Sequence, residues 1–122
     1  MNTDALPVAL AAMVSDFVTA AGIDFCDAKV VTSECETWSD RLAVALHDAP
    51  IEVDEDGDVI AEASTWTTLL WESPEDVPEE LAGDELAIGH VICVVEWDGT
   101  EYVIDLTAAQ FPQWDEPRCW AI

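Results

Sequence analysis

Three residues of this 122-residue chain are of types that do chemistry together: Cys35, His90 and Asp105. A cysteine attacks as its thiolate, a histidine takes the thiol proton and returns it to a leaving group, and a carboxylate holds the imidazole in one tautomer. Chemistry of that kind opens amide bonds. It requires that positions 35, 90 and 105 be carried to one place, so the elements around them must do the positioning.

The histidine and the aspartate bracket one stretch of sequence. Val91 to Val95 and Tyr102 to Ile104 are apolar, β-branched runs on either side of Asp98-Gly99. Asp-Gly between such runs predicts a β-hairpin, because both turn residues tolerate positive φ. Pairing of the two strands returns Asp105 to the neighbourhood of His90.

The cysteine has a different setting. Ser33-Glu34-Cys35-Glu36 precedes Trp38, Leu42, Ala45 and Leu46, which share one helical face with Cys35. Ser33 and Glu36 have the spacing of a capping box, which predicts Cys35 in the first turn of the helix. Unpaired amides and the macrodipole favour a thiolate there. Glu34 and Glu36 oppose it, so an imidazolium at His90 must supply much of the activation. The Cys35 amide is a candidate oxyanion donor.

Further elements follow from periodicity and punctuation. Leu6, Leu10, Met13, Val14, Phe17, Val18 and Ala21 predict a helix over Leu6 to Ala21, with Pro7 in its first turn and Gly22 as its stop. Ile23 to Val31 reads as a connector with a short extended piece at Lys29 to Val31. The second helix fades near His47 to Pro50, and Ile51 to Val53 begins a strand broken by Asp54 to Asp58. Val59 to Leu70 reads as a strand, with helix as the alternative because of Ala61, Glu62 and Ala63. Glu72 to Gly83 is an acidic connector containing Pro74, Pro78 and room for one helical turn, and Phe111 to Ile122 is an aromatic-rich tail. No repeat or linker divides the chain, so residues 1–122 read as one α+β domain.

Composition narrows the function classes. Twenty-seven acidic residues face only Lys29, Arg41 and Arg118, for a formal net charge of −24. Affinity for nucleic acid rests largely on Lys and Arg replacing counterions, so direct nucleic-acid binding is not expected. The acidity reads as a solubilising surface, as a face for a basic protein partner, or as a polyanion that imitates DNA. No apolar run of membrane-spanning length is present, and the first apolar segment lacks the basic residues of a signal peptide. Cys26, Cys35, Cys93 and Cys119 therefore read as reduced thiols of a cytoplasmic protein. They lack zinc-site spacing with His47 and His90, so no metal and no cofactor is expected. Cys26, Cys93 and Cys119 read as core residues. The six tryptophans read as core fillers, with those of the tail available to line a cleft.

A cysteine at a helix start, Gly89-His90 before a hydrophobic strand, and Asp105-Leu106-Thr107-Ala108-Ala109-Gln110-Phe111 after the turn together resemble the papain-like and transglutaminase-like cysteine hydrolase superfamily. The likeness is greatest to small bacterial and phage-associated papain-fold domains, including toxin-type ones, and spans Ser33 to Phe111. The resemblance implies a papain-like fold with N-terminal helices packed on a small antiparallel sheet. It also implies Cys35 as nucleophile, His90 as general base and Asp105 as orienting acid. The sequence departs from the family at Ile92, often aromatic in transglutaminase-like members, and in having no Gln or Trp before Cys35. Lys29 stands where a papain-like Gln would be sought.

The expected function is thus a cysteine-dependent hydrolase or acyltransferase acting on an amide or isopeptide bond of a protein or peptide substrate, of peptidase, deamidase or transglutaminase type. The alternative is a non-catalytic acidic interaction protein, such as an inhibitor or DNA-mimicking polyanion. The sequence leaves oligomeric state open.

Overall fold

A computed structural model describes residues 3–71, 74–81, 87, 89–111 and 114–122. Three helices come first: α1 (Val8–Ala21), the single turn α2 (Ala28–Val31) and α3 (Cys35–Leu46). Six strands follow: β1 (Pro50–Val53), β2 (Val59–Glu62), β3 (Ser64–Leu69), β4 (Val91–Trp97), β5 (Thr100–Asp105) and β6 (Arg118–Ala121). The strands form an antiparallel β1-β2 ribbon and a four-stranded antiparallel sheet in the order β3-β4-β5-β6. The fold class is α+β, as expected.

The α1 helix begins two positions later than its periodicity suggests, with Pro7 as its N-cap rather than inside it, and ends on Gly22 at φ 71°. Lys29 to Val31 is helical, not extended. Asp27 supplies the reason, since its side chain accepts from the Lys29 amide and caps the turn. The expected strand over Val59 to Leu70 is two strands. Ala63 is buried between them, its N–H donating to Ala49 O and its carbonyl accepting from Asp48 N–H. The chain therefore changes sheets at Ala63. In the acidic connector, short 3-10 turns cover Pro74–Asp76 and Glu79–Leu81, while positions 72–73 and 82–83 of that connector lie outside the described residues. The aromatic tail supplies β6.

The hairpin forms as its turn demands. Asp98 and Gly99 adopt φ 50° and 79°, and Trp97 pairs with Thr100, Val95 with Tyr102 and Cys93 with Ile104. Its strands run to Trp97 and from Thr100, longer than the apolar runs alone. β4 is central and largely buried, with Ile92, Cys93, Val94 and Val95 inaccessible. One of its faces packs Cys93 and Val95 with Leu10, Val14, Leu42, Leu46 and Ile104 in the main core beneath the helices. The other packs Ile92, Val94 and Val103 with Trp120. On α3 the buried positions are Ser39, Leu42 and Leu46. Trp38 is only partly covered and Ala45 is exposed, so the helical face is rotated from the expected one toward a serine.

Candidate active site

Cys35 is the first residue of α3, but no capping box places it there. Glu34 is the N-cap and makes no side-chain cap bond, while Ser33 is left-handed at φ 64°. In that conformation the Ser33 N–H donates to Gln110 Oε1 at 3.4 Å, from the far end of the chain. The first intrahelical bond runs from Trp38 N–H to Glu34 O, so the amides ahead of it lie at the open end of the helix.

Two bonds dock this helix end on β4. Ser39, one turn along from Cys35, donates its hydroxyl to Val91 O at 3.0 Å. The Val91 N–H donates to Cys35 Sγ at 3.4 Å. The sulfur also lies 3.8 Å from Gly89 O. One strand residue thus registers the helix through its carbonyl and the Cys35 sulfur through its amide.

His90 and Asp105 meet at the same end of the sheet. Asp105 ends β5, and extending the β4–β5 register sets it diagonally across from His90, just before β4. His90 Nε2 donates to Asp105 Oδ2 at 2.8 Å, and both residues are fully buried. Trp71 and Phe111 flank the imidazole at ring-centroid distances of 5.8 and 4.9 Å, Phe111 edge-on. On β6, Arg118 is the register partner of Asp105, and its guanidinium lies over the rings of Trp114 and Trp120. The Asp105 charge acts on Arg118 across the strand pair, raising the pKa of its guanidinium against burial, while Asp105 Oδ1 has no hydrogen-bond partner among the described residues.

Electrostatics couple the three groups. Burial pushes the Cys35 thiol up, but hydrogen bonding with His90 and the Val91 amide, the His90 charge and the Glu36 amide together bring it below the ordinary 9.0. Burial depresses His90, yet hydrogen bonds and charge from Asp105 and Cys35 raise it from 6.5 to about 9. With Nε2 engaged by Asp105, Nδ1 is the nitrogen left for the thiol. The arrangement can transfer a proton from Cys35 Sγ to His90 Nδ1 while Asp105 stabilises the resulting imidazolium.

The other cysteines have different environments. Burial pushes Cys93 and Cys119 up to about 12, which keeps both as thiols, and Cys26 is exposed. Cys119 is only partly buried, and all four cysteines are free. Among the described residues, no group of three or more His, Cys, Asp or Glu is placed to hold a metal, and no helix is long and apolar enough to cross a membrane.

Sequence reasoning assigned no role to Gln110, Thr107 or Ser39. Gln110 follows Asp105 by five positions on a short 3-10 turn (Ala108–Gln110), and its Nε2 donates to His90 Nδ1 at 3.0 Å and to Thr107 Oγ1 at 3.2 Å. The signal in the sequence is the Asp105-Leu106-Thr107-Ala108-Ala109-Gln110-Phe111 segment that carries the resemblance, within which Gln110 was assigned no role. No family model, curated protein or solved structure matches the chain.

Proposed function

We propose that this protein is a papain-like cysteine hydrolase or acyltransferase acting on an amide or isopeptide bond of a protein or peptide. The observation that carries the reading is the continuous path from Asp105 through His90 to a half-buried Cys35 whose thiol is shifted toward thiolate. Cys35 gives its proton to His90 Nδ1, and the thiolate attacks the carbonyl carbon. Amides at the start of α3 are placed to stabilise the oxyanion. Collapse breaks the C–N bond, His90 protonates the departing amine, and a thioester remains on Cys35. Water then gives hydrolysis, or deamidation of a side-chain amide, while an amine gives acyl transfer. An α+β fold with the cysteine at a helix start against an antiparallel sheet fits a papain-like architecture.

Alkylation tests the reading directly. Iodoacetamide at pH 7 should modify Cys35 at least about tenfold faster than exposed Cys26, since alkylation follows the thiolate fraction. Cys35→Ala should abolish amide-bond turnover in a folded protein. Equal labelling of Cys35 and Cys26 would leave the second reading, a non-catalytic acidic interaction protein. The net charge of −24 favours that reading, as does the exposed acidic turn Asp54 to Asp58, where Asp54 Oδ1 accepts from the Asp56 and Asp58 amides.

A further inference from the structure

The lone pair of His90 Nδ1 has two claimants. Cys35 must deliver its proton there, but Gln110 Nε2 already donates to that nitrogen at 3.0 Å. The orientation of the Gln110 amide is set by its other partners. Its Oε1 faces the Ser33 N–H, a group that only donates, and its Nε2 faces Thr107 Oγ1. Turning the amide over would set a carboxamide N–H against a backbone N–H. At the same time His90 Nε2–H is committed to Asp105 Oδ2. This bonding pattern favours the neutral imidazole, with hydrogen on Nε2 and an acceptor at Nδ1.

From this geometry we infer that Gln110 is a positioning residue that, by occupying Nδ1, opposes the proton transfer that Asp105 and Cys35 favour and so biases the pair toward neutral thiol and neutral imidazole. The inference rests on the reading of Cys35 and His90 as nucleophile and base. When the thiol proton moves to Nδ1, the Gln110 N–H meets an N–H and its bond is lost, so the thiolate–imidazolium pair forms at the expense of that contact. Asp105 and Cys35 draw a proton onto His90, and Gln110 resists it. The titratable groups acting on the ring are Asp105 on β5 and Cys35 on α3. Arg118 on β6 stands beside Asp105, and the other ring neighbours, Trp71 and Phe111, are uncharged. Gln110 also ties Ser33, two residues before the nucleophile, to the base. Displacing this one amide therefore frees Nδ1 and the chain leading into α3 together.

His90 titration, read by NMR in a Cys35→Ala background, isolates the effect. The chain has two histidines, so His90 is distinguished from exposed His47 by a single comparison. Gln110→Leu removes the donor at similar size and should raise the His90 pKa by about 0.5 to 1, the equivalent of one hydrogen bond of ordinary net strength. Gln110→Glu is isosteric, sets an acceptor opposite Nδ1–H and should raise it further. In the Cys35-containing protein, Gln110→Leu should move the acid limb of iodoacetamide labelling down by a similar amount. An unchanged or lowered His90 pKa in Gln110→Leu overturns the inference, as does a Gln110→Glu value no higher than that with glutamine if the leucine variant does not fold. Slow wild-type labelling of Cys35 alongside the expected His90 shifts would instead count against catalysis while leaving the Gln110 contact established.

Discussion

His90 and Asp105 stand at the ends of paired strands with no exposed surface, whereas Cys35 stands at a helix end reached through a left-handed serine and keeps part of its surface open. The histidine and its carboxylate partner are fixed by a ladder of strand pairings and by two flanking rings. Cys35 is fixed by single bonds, from the Val91 amide, from Ser39 one turn along and from Gln110 to the loop before it. A proton acceptor gains from burial with a partner, because a low dielectric strengthens the bond that holds its tautomer. A nucleophile must meet substrate, and its support comes from behind.

The largest effect should come from breaking the buried half. Asp105→Ala leaves His90 without its partner inside the sheet and should cost about 3–5 kcal/mol in urea unfolding near pH 6. The pH dependence has a definite sign. His90 is raised from 6.5 to about 9, so its contribution to stability is fully present below 6.5 and is lost as pH rises through about 9. The penalty of Asp105→Ala should therefore shrink between pH 6.5 and 9.5. A penalty below about 1 kcal/mol near pH 6, or one that grows with pH, would erase the contrast between the halves.

Ser33 probes the other half. Ser33→Val forces a β-branched residue to φ 64° and should destabilise by about 1–2 kcal/mol, while Ser33→Gly should stay within about 0.5 kcal/mol of wild type. Equal melting curves for the two variants would mean that the loop relaxes out of its left-handed conformation. Ser39→Ala should be smaller, about 1 kcal/mol, since it removes one half-buried hydroxyl bond to Val91 O. Its sharper readout is Cys35 alkylation, which should slow as the helix end loosens from β4 while His90 titrates as before. Unchanged alkylation would assign the registration of Cys35 to the Val91 amide and Gln110 instead.

The hairpin was legible because its determinants are local. Asp98-Gly99 sets the turn, the turn sets the register, and the register sets His90 and Asp105 a diagonal apart. The α+β class and a helix carrying Cys35 in its first turn were legible as well, although the helix begins at Cys35 rather than after a Ser33 cap. The capping box was not formed, because a contact 77 positions away holds Ser33 in a conformation that its local sequence does not encode. Gln110 stood in the segment that carries the resemblance, but nothing local to it shows that the fold sets its amide on Nδ1. The unbroken reading of Val59 to Leu70 missed the switch at Ala63, whose backbone bonds go to residues 48 and 49. The expected apolar face of α3 missed Ser39, since a hydrophobic pattern does not register a buried hydroxyl that has an acceptor waiting on another element.

The sequence separation of these contacts has a consequence for how the protein comes into being. The groups that lower the Cys35 thiol lie 55 and 56 positions downstream, at His90 and Val91, except for the adjacent Glu36 amide. Until β4 has been synthesised and has docked on α3, the thiol is an ordinary cysteine on a nascent helix. Loop closure over such distances comes late in folding. The lowering of the Cys35 thiol by these groups therefore arises only in molecules in which β4 has docked on α3.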